Sequence, residues 1–144
     1  MQVNDILHRK GTAVATIASD RPILEVVEFL RDHDVGALVV SDDGETIAGI
    51  VSERDIVRRL ATEGGHLPEM TVAEVMTAEV RTCTPDDTID HLMEVMTNKR
   101  VRHLPCVVDG RLNGIVSIGD VVKSRMHELE EETRHLHDYI SGHY

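Results

Sequence analysis

The heptapeptide Gly-Ile-Val-Ser-Glu-Arg-Asp at residues 49–55 returns as Gly-Ile-Val-Ser-Ile-Gly-Asp at residues 114–120. A repeat at this period constrains the fold more than any other feature of the chain, because each copy must be one supersecondary unit too small to bury a sound core alone. The flanks repeat as well. Val14-Ala15-Thr16 aligns with Val80-Arg81-Thr82, and the polar stretch Ser19–Pro22 aligns with Pro85–Thr88. Ile23, Val26, Val27 and Leu30 in one copy, and Ile89, Leu92, Met93 and Met96 in the other, fall at the three-and-four spacing of one helix face. Short apolar runs follow, Ala37–Val40 and Leu104–Val108. Each leads to an Asp-Gly turn signal, Asp43-Gly44 and Asp109-Gly110, and then to a second run, Ile47–Val51 and Leu112–Val116. Asp-Gly between apolar runs predicts a hairpin in each copy. Even the opening segments match, Val3–Leu7 with Val72–Met76.

The expected unit is therefore strand, helix, strand, hairpin, strand, helix. Two such units should pack face to face about a pseudo-twofold axis, joined near the breaker-rich Glu63–Pro68. This assigns residues 1–65 to a first repeat, 66–125 to a second and 126–144 to a C-terminal helical extension.

Composition limits what such a pair can do. Aromatic residues are 2% of the chain (Phe29, Tyr139 and Tyr144), so a base-stacking platform for nucleic acid is excluded. A net charge of −11 repels nucleic acid and anionic lipid alike, while leaving room for a local basic pocket. There is no apolar run long enough for a membrane span and no apolar signal core after Met1, which predicts a cytoplasmic protein. Cys83 and Cys106 lack metal spacing and read as buried apolar residues. His127, His135, His137 and His143 form no ligand pair at metal spacing and read as solvated. No nucleophile–base pair and no phosphate loop of the Gly-x-x-x-x-Gly-Lys type is present, so an enzyme is not expected.

Ser52 and Asp55, and likewise Ser117 and Asp120, have the spacing of a capping box, in which serine and acid satisfy each other's amides at the start of a helix. Capping alone does not require the preceding Gly-Ile-Val. Gly49 and Gly114 leave backbone bare where a flat ligand can approach, and the helix start offers free amides and the positive end of the dipole to a phosphate. A carboxylate one turn in can accept both hydroxyls of a ribose. The constellation fits a nucleoside phosphate. His8-Arg9-Lys10-Gly11 reads either as a surface loop or as a segment that brings Lys10 over a phosphate.

The doubled Gly-Ile-Val-Ser-x-x-Asp, the Arg102-His103-Leu104-Pro105-Cys106-Val107 strand and the order of elements resemble a tandem pair of cystathionine-beta-synthase (CBS) domains, a Bateman module, over residues 3 to about 125. The resemblance implies an α+β fold of two pseudo-symmetric β-α-β-β-α repeats packed through their sheets. It also implies adenosine derivatives (AMP, ADP or ATP, with NAD(H) or S-adenosylmethionine as alternatives) in two clefts between the repeats, and dimerisation into a flat disc. Carried onto this chain, it makes Asp55 and Asp120 ribose binders and puts Ser52 and Ser117 at phosphate or ribose. Thr16 and Thr82 would line the adenine slot, bordered by Val101 to Leu104 and continuing to Pro105, with Arg102 and His103 as phosphate-binding residues and Arg54 reaching into the neighbouring cleft. Because the second copy has Arg102-His103 where the first has Gly36-Ala37, the cleft of Ser117 and Asp120 is expected to be the tighter AMP site.

Past the second motif, Val122, Met126, Leu129, Leu136 and Ile140 form a heptad-like seam. It either covers the chain's own core or packs in a homodimer, the latter preferred. Three functions follow: an adenine-nucleotide sensor whose ligand shifts the repeat or dimer geometry, a ligand-free interaction module docking an effector protein, or a nucleotide-processing enzyme. The first is the expected one.

Overall fold

A computed structural model of the chain describes residues 1–142; His143 and Tyr144, the last two residues of the expected extension, lie outside the described residues. The first repeat runs β1 (Thr16–Ile17), α2 (Ile23–His33), β2 (Ala37–Val40), β3 (Gly49–Ser52) and α3 (Glu53–Glu63), preceded by α1 (Val3–Lys10). A 3₁₀ turn over Gly64–Glu69 leads to α4 (Val72–Val75), and the second repeat continues through α5 (Ile89–Lys99), β4 (His103–Val108), β5 (Arg111–Ser117) and α6 (Ile118–Ile140). In the first sheet β1 is parallel to β2, which is antiparallel to β3. In the second, β4 and β5 are antiparallel, and the strand expected ahead of α5 shrinks to one parallel bridge, Cys83 to Cys106.

The equivalent helices α2 and α5 stop at matching positions, and α5 also starts as its sequence directs. Thr88 caps α5 by accepting from the His91 amide at 3.1 Å. α2 and α5 end at equivalent residues in the left-handed region, Asp34 (φ 51°) and Arg100 (φ 54°). The buried stripe is narrower than expected. Ile23, Val26 and Leu30, and Ile89, Leu92 and Met96, are buried, but Val27 and Met93 are exposed at equivalent places on the edge of the stripe.

The two Asp-Gly signals diverge. Asp109 and Gly110, at φ 51° and 76°, make the expected two-residue turn, with Val108 paired to Arg111. Asp43-Gly44 does not close a tight hairpin, because β2 pairs with β3 from Val40↔Gly49 and an eight-residue loop intervenes. Asp43 organises that loop from within. Its carboxylate accepts from the amides of Thr46 (2.7 Å) and Glu45 (2.8 Å) and from Thr46 Oγ1 (2.7 Å), bonds that hold its pKa well below the usual carboxylate range.

The packing units cross the repeat boundary. Val3, Ile6 and Leu7 of α1 belong to the core built by Ile89, Leu92, Met96, Leu104, Cys106, Val116 and Val121 of the second repeat. Reciprocally, Leu67, Val72 and Val75 belong to the core of Ile23, Val26, Leu30, Leu38, Val40 and Val51 in the first. Backbone bonds repeat the exchange: Val3 N to Asp87 O (2.9 Å) and Asn4 N to Pro85 O (2.9 Å) answer Val72 N to Arg21 O (2.8 Å) and Ala73 N to Ser19 O (2.9 Å). Each fully buried aliphatic contributes on the order of 1.5–3 kcal/mol, so the crossed helices supply a large share of a marginal total.

The exchange accounts for the repeated glycines, and differently from the expectation. A Cβ on Gly114 (φ 133°) would lie 2.7 Å from Leu7 Cδ2, and one on Gly49 would lie 2.5 Å from Met76 Sδ and 2.9 Å from the Thr77 carbonyl. Leu7 and Met76 are equivalent residues of the two opening segments. The glycines admit the other repeat's opening segment onto the last strand, not a ligand. Gly114→Ala is expected to cost about 1–3 kcal/mol through overpacking and strain. Gly65→Ala, with open space around it, should stay within about 0.5 kcal/mol. Urea unfolding of both variants measures the difference.

Candidate functional site

Each last strand delivers its serine to the start of a helix. Ser52 Oγ accepts from the Asp55 amide (3.4 Å) while Asp55 Oδ2 accepts from the Ser52 amide (2.9 Å) and hydroxyl (3.0 Å). Ser117 Oγ accepts from the Asp120 amide (3.2 Å), and Asp120 Oδ2 from the Ser117 amide (2.9 Å). Both capping boxes are thus closed. The first helical amides are also engaged, Glu53 N to Gly36 O (3.0 Å) and Ile118 N to Arg102 O (2.8 Å). The helix starts therefore offer fewer free amides than their sequences suggest, and the carboxylates become the features that distinguish the two sites.

Those carboxylates have different outer partners, both supplied by the exchanged segments. Asp120 Oδ2 accepts from Lys10 Nζ at 2.6 Å, a partly buried ion pair across the repeats. Asp55 Oδ1 accepts instead from the neutral Thr77 Oγ1 at 3.1 Å. Burial pushes the Asp120 carboxyl up, but its bonds to Lys10 and Ser117 and the lysine's charge outweigh that and bring it below the usual carboxylate range. Around the pair lies a small pocket of about 130 Å³ lined by Ile6, Arg9, Lys10, Asp120, Lys123 and Ser124. Arg9 Nη2 donates to Ser124 Oγ at 3.3 Å on its wall.

His103 opens β4 opposite Ser117. It packs against Gly36, where a Cβ would come within 3.2 Å of its ring. Gly36-Ala37 and Arg102-His103 are equivalent positions, so His103 stands where the two repeats meet rather than deep in one cleft. Burial, first, and then Lys10 and Arg102 push its pKa down; Glu53 and Asp120 pull against them. Arg54 also crosses the joint, donating from Nη1 to the Arg100 carbonyl at 2.9 Å.

The remaining expected residues are less gathered. Thr16 lies half-buried on β1, paired with Val39. Thr82 is exposed, one residue before the Cys83 bridge, and not in a strand. Leu104 is buried in the second core and Pro105 is buried beside it, so these two present backbone rather than side chain. Sequence reasoning missed Thr77, Arg9 and Lys123. For Arg9 and Thr77 the signal was present: the opening segments repeat at a different offset from the Ser-x-x-Asp motifs, which marks them as a separately placed element, whereas Lys123 lies on α6 and carried none. No group of three or more His, Cys, Asp or Glu among the described residues could hold a metal ion, and no helix there is long and apolar enough to cross a membrane.

The CBS-domain family model matches residues 3–62 and again residues 72–127. The chain belongs to the CBS-domain family. Its two matched stretches are the two repeats traced above, and the tandem CBS arrangement recurs in solved structures. A CBS-domain-containing protein of Agrobacterium tumefaciens, ATU1752, is 45% identical, covers 87% of this chain and 99% of its own, and superposes with a TM-score of 0.84. The CBS domain pair of protein MJ0100, in complex with 5′-methylthioadenosine and S-adenosyl-L-methionine, is 29% identical over 85% of this chain and 98% of its own, with a TM-score of 0.75. Among curated relatives, the mitochondrial CBS domain-containing protein CBSX3 of Arabidopsis thaliana is 36% identical over 150 residues, 99% of this chain and 73% of its own.

The CBS pair carries a pH signature at His103. Its pKa is lowered on folding, so below the ordinary histidine value of about 6.5 the unfolded chain binds the proton better. Stability is therefore full above that value and falls as pH drops through the window beneath it. Thermal melts from pH 7.5 to about 5.5 should lose more Tm in the wild type than in His103→Gln.

Proposed function

We propose that this CBS pair is a regulatory module that binds an adenosine derivative between its repeats, AMP first among the candidates, with ADP, ATP, NAD(H) and S-adenosylmethionine behind it. The observation that carries the reading is Asp120. Its carboxylate is held at a serine-capped helix start in the second repeat and paired at 2.6 Å with Lys10 from the first, beside a pocket edged with Arg9 and Lys123. A ribose diol suits the carboxylate and a phosphate suits the cations. The adenosine ligands of the MJ0100 domain pair support the same class here. In this reading Ser117 and Asp120 hold the sugar, Thr82 with the backbone of Leu104 and Pro105 borders the base, and Arg102 and His103 face the phosphate. Ser52, Asp55 and Thr16 form the weaker second cleft, while Arg54, which crosses to the Arg100 carbonyl, reaches toward the neighbouring one.

Such a ligand touches α1, which belongs in sequence to one repeat, and the start of α6, which belongs to the other. Through His103, which packs against Gly36 of the first repeat, binding is coupled to the angle between repeats, provided the ligand prefers one arrangement. The output is regulatory rather than catalytic, in the nucleotide-rich cytoplasm, although the Arabidopsis relative is mitochondrial by name. Calorimetry with AMP is the test. Asp120→Ala should weaken binding at least about tenfold while costing on the order of 1 kcal/mol of stability from the cap. A variant that unfolds but keeps its affinity when folded would reduce Asp120 to a cap.

The reading includes a homodimer. Ile118, Val122, Met126, Leu129 and Leu136 of α6, together with Val57 and Leu60 of α3, are exposed apolar residues. The stripe on α6 continues past the buried residues of that helix, Val121 and Ser124. A second copy would cover this face with the same face of its own. Leu129→Lys should shift a dimer to monomer in sedimentation velocity; an unchanged sedimentation coefficient would remove this face from the interface.

A further inference from the structure

We infer that Lys10 selects the charge of the ligand in the Asp120 cleft, admitting adenosine derivatives of net negative charge over neutral or cationic ones. The inference rests on the adenosine-binding reading above and adds the rule by which the cleft chooses. Before any ligand enters, Asp120 Oδ2 is occupied: Lys10 Nζ lies 2.6 Å from it, with the two side chains 32% and 24% exposed. Oδ2 also accepts from the Ser117 amide, so a ribose diol that takes both carboxylate oxygens displaces the ammonium. The displaced charge stays in a pocket already holding Arg9 and Lys123, with Arg102 among the cations acting on the adjoining His103. A neutral nucleoside leaves these cations with only the diol-bound Asp120 carboxylate as counter-charge, and a sulfonium adds another cation. A phosphate supplies the counter-charge, so exchange of the ion pair for a diol–carboxylate and a phosphate–ammonium contact is balanced only for an anion.

The other cleft lacks this device. Asp55 shares its second oxygen with the hydroxyl of Thr77, and displacing a neutral hydroxyl strands no charge. The segments that reach the two aspartates are equivalent, α1 and the chain after α4, yet one brings an ammonium and the other a hydroxyl. Two nearly identical motifs are thereby given different ligand preferences by residues outside the motifs.

The test is calorimetric titration of the intact chain with AMP, adenosine, 5′-methylthioadenosine and S-adenosylmethionine, for the wild type, Lys10→Gln and Lys10→Arg, read on the site that Asp120→Asn removes. The wild type should prefer AMP over adenosine by about tenfold or more. Lys10→Gln should bring that preference within about threefold and tighten the two sulfur nucleosides relative to AMP. Lys10→Arg should restore the preference, which a purely structural role for the side chain would not require. In the wild type the preference should also shrink as salt rises toward 1 M. An AMP-to-adenosine ratio that is the same in the wild type and Lys10→Gln overturns the inference and leaves the adenosine-binding reading standing. Failure of all four compounds to bind the wild type overturns both.

Discussion

The crossed packing of Val3, Ile6 and Leu7 onto the second core, and of Leu67, Val72 and Val75 onto the first, is the constraint on which everything else in the molecule depends. Each sheet is covered by its own repeat's helix together with the other repeat's opening segment. Two units of this size cannot each exclude water from their aliphatics, and the low aromatic content, 2%, removes the bulky side chains that might have filled the gap. Exchange solves the problem symmetrically. It explains the glycine of each Gly-Ile-Val as the place where Leu7 or Met76 approaches the strand. It also forces the C-terminal end of each opening segment toward the start of the opposite repeat's last helix.

That second consequence links packing to chemistry. Because α1 packs against β5 and α6, its last residue, Lys10, arrives at Asp120. Because α4 lies against β3, Thr77 arrives at Asp55. The site is built by the same contacts that build the core, with Lys10 and Asp120 held by one packing unit and Thr77 and Asp55 by the other.

Much of this was legible in the sequence. The repeat, the two buried helix stripes, both capping boxes and the Asp109-Gly110 turn follow from short-range rules of periodicity, capping and turn chemistry. The errors arose where a short-range rule met a long-range competitor. Asp43-Gly44 signals a tight hairpin, but Ser41 and Thr46 give Asp43 enough partners to stabilise a longer loop. The strand expected before α5 is one bridge long, since only Cys83 reaches β4. Val27 and Met93 satisfy helical spacing yet face outward, because the sheet beneath covers only the centre of the stripe.

The amino-acid sequence by itself determined that the chain is two like units, each ending in a serine-capped helix with an acid one turn in, since those features depend on residues within a few positions of each other. Only the tertiary structure decided which residue each acid meets. Lys10 and Asp120 are 110 positions apart and Thr77 and Asp55 are 22 apart, and neither pairing is implied by spacing. They are set by where the exchanged helices come to rest, which is a matter of burying aliphatic surface, and the charge of each cleft follows from that placement.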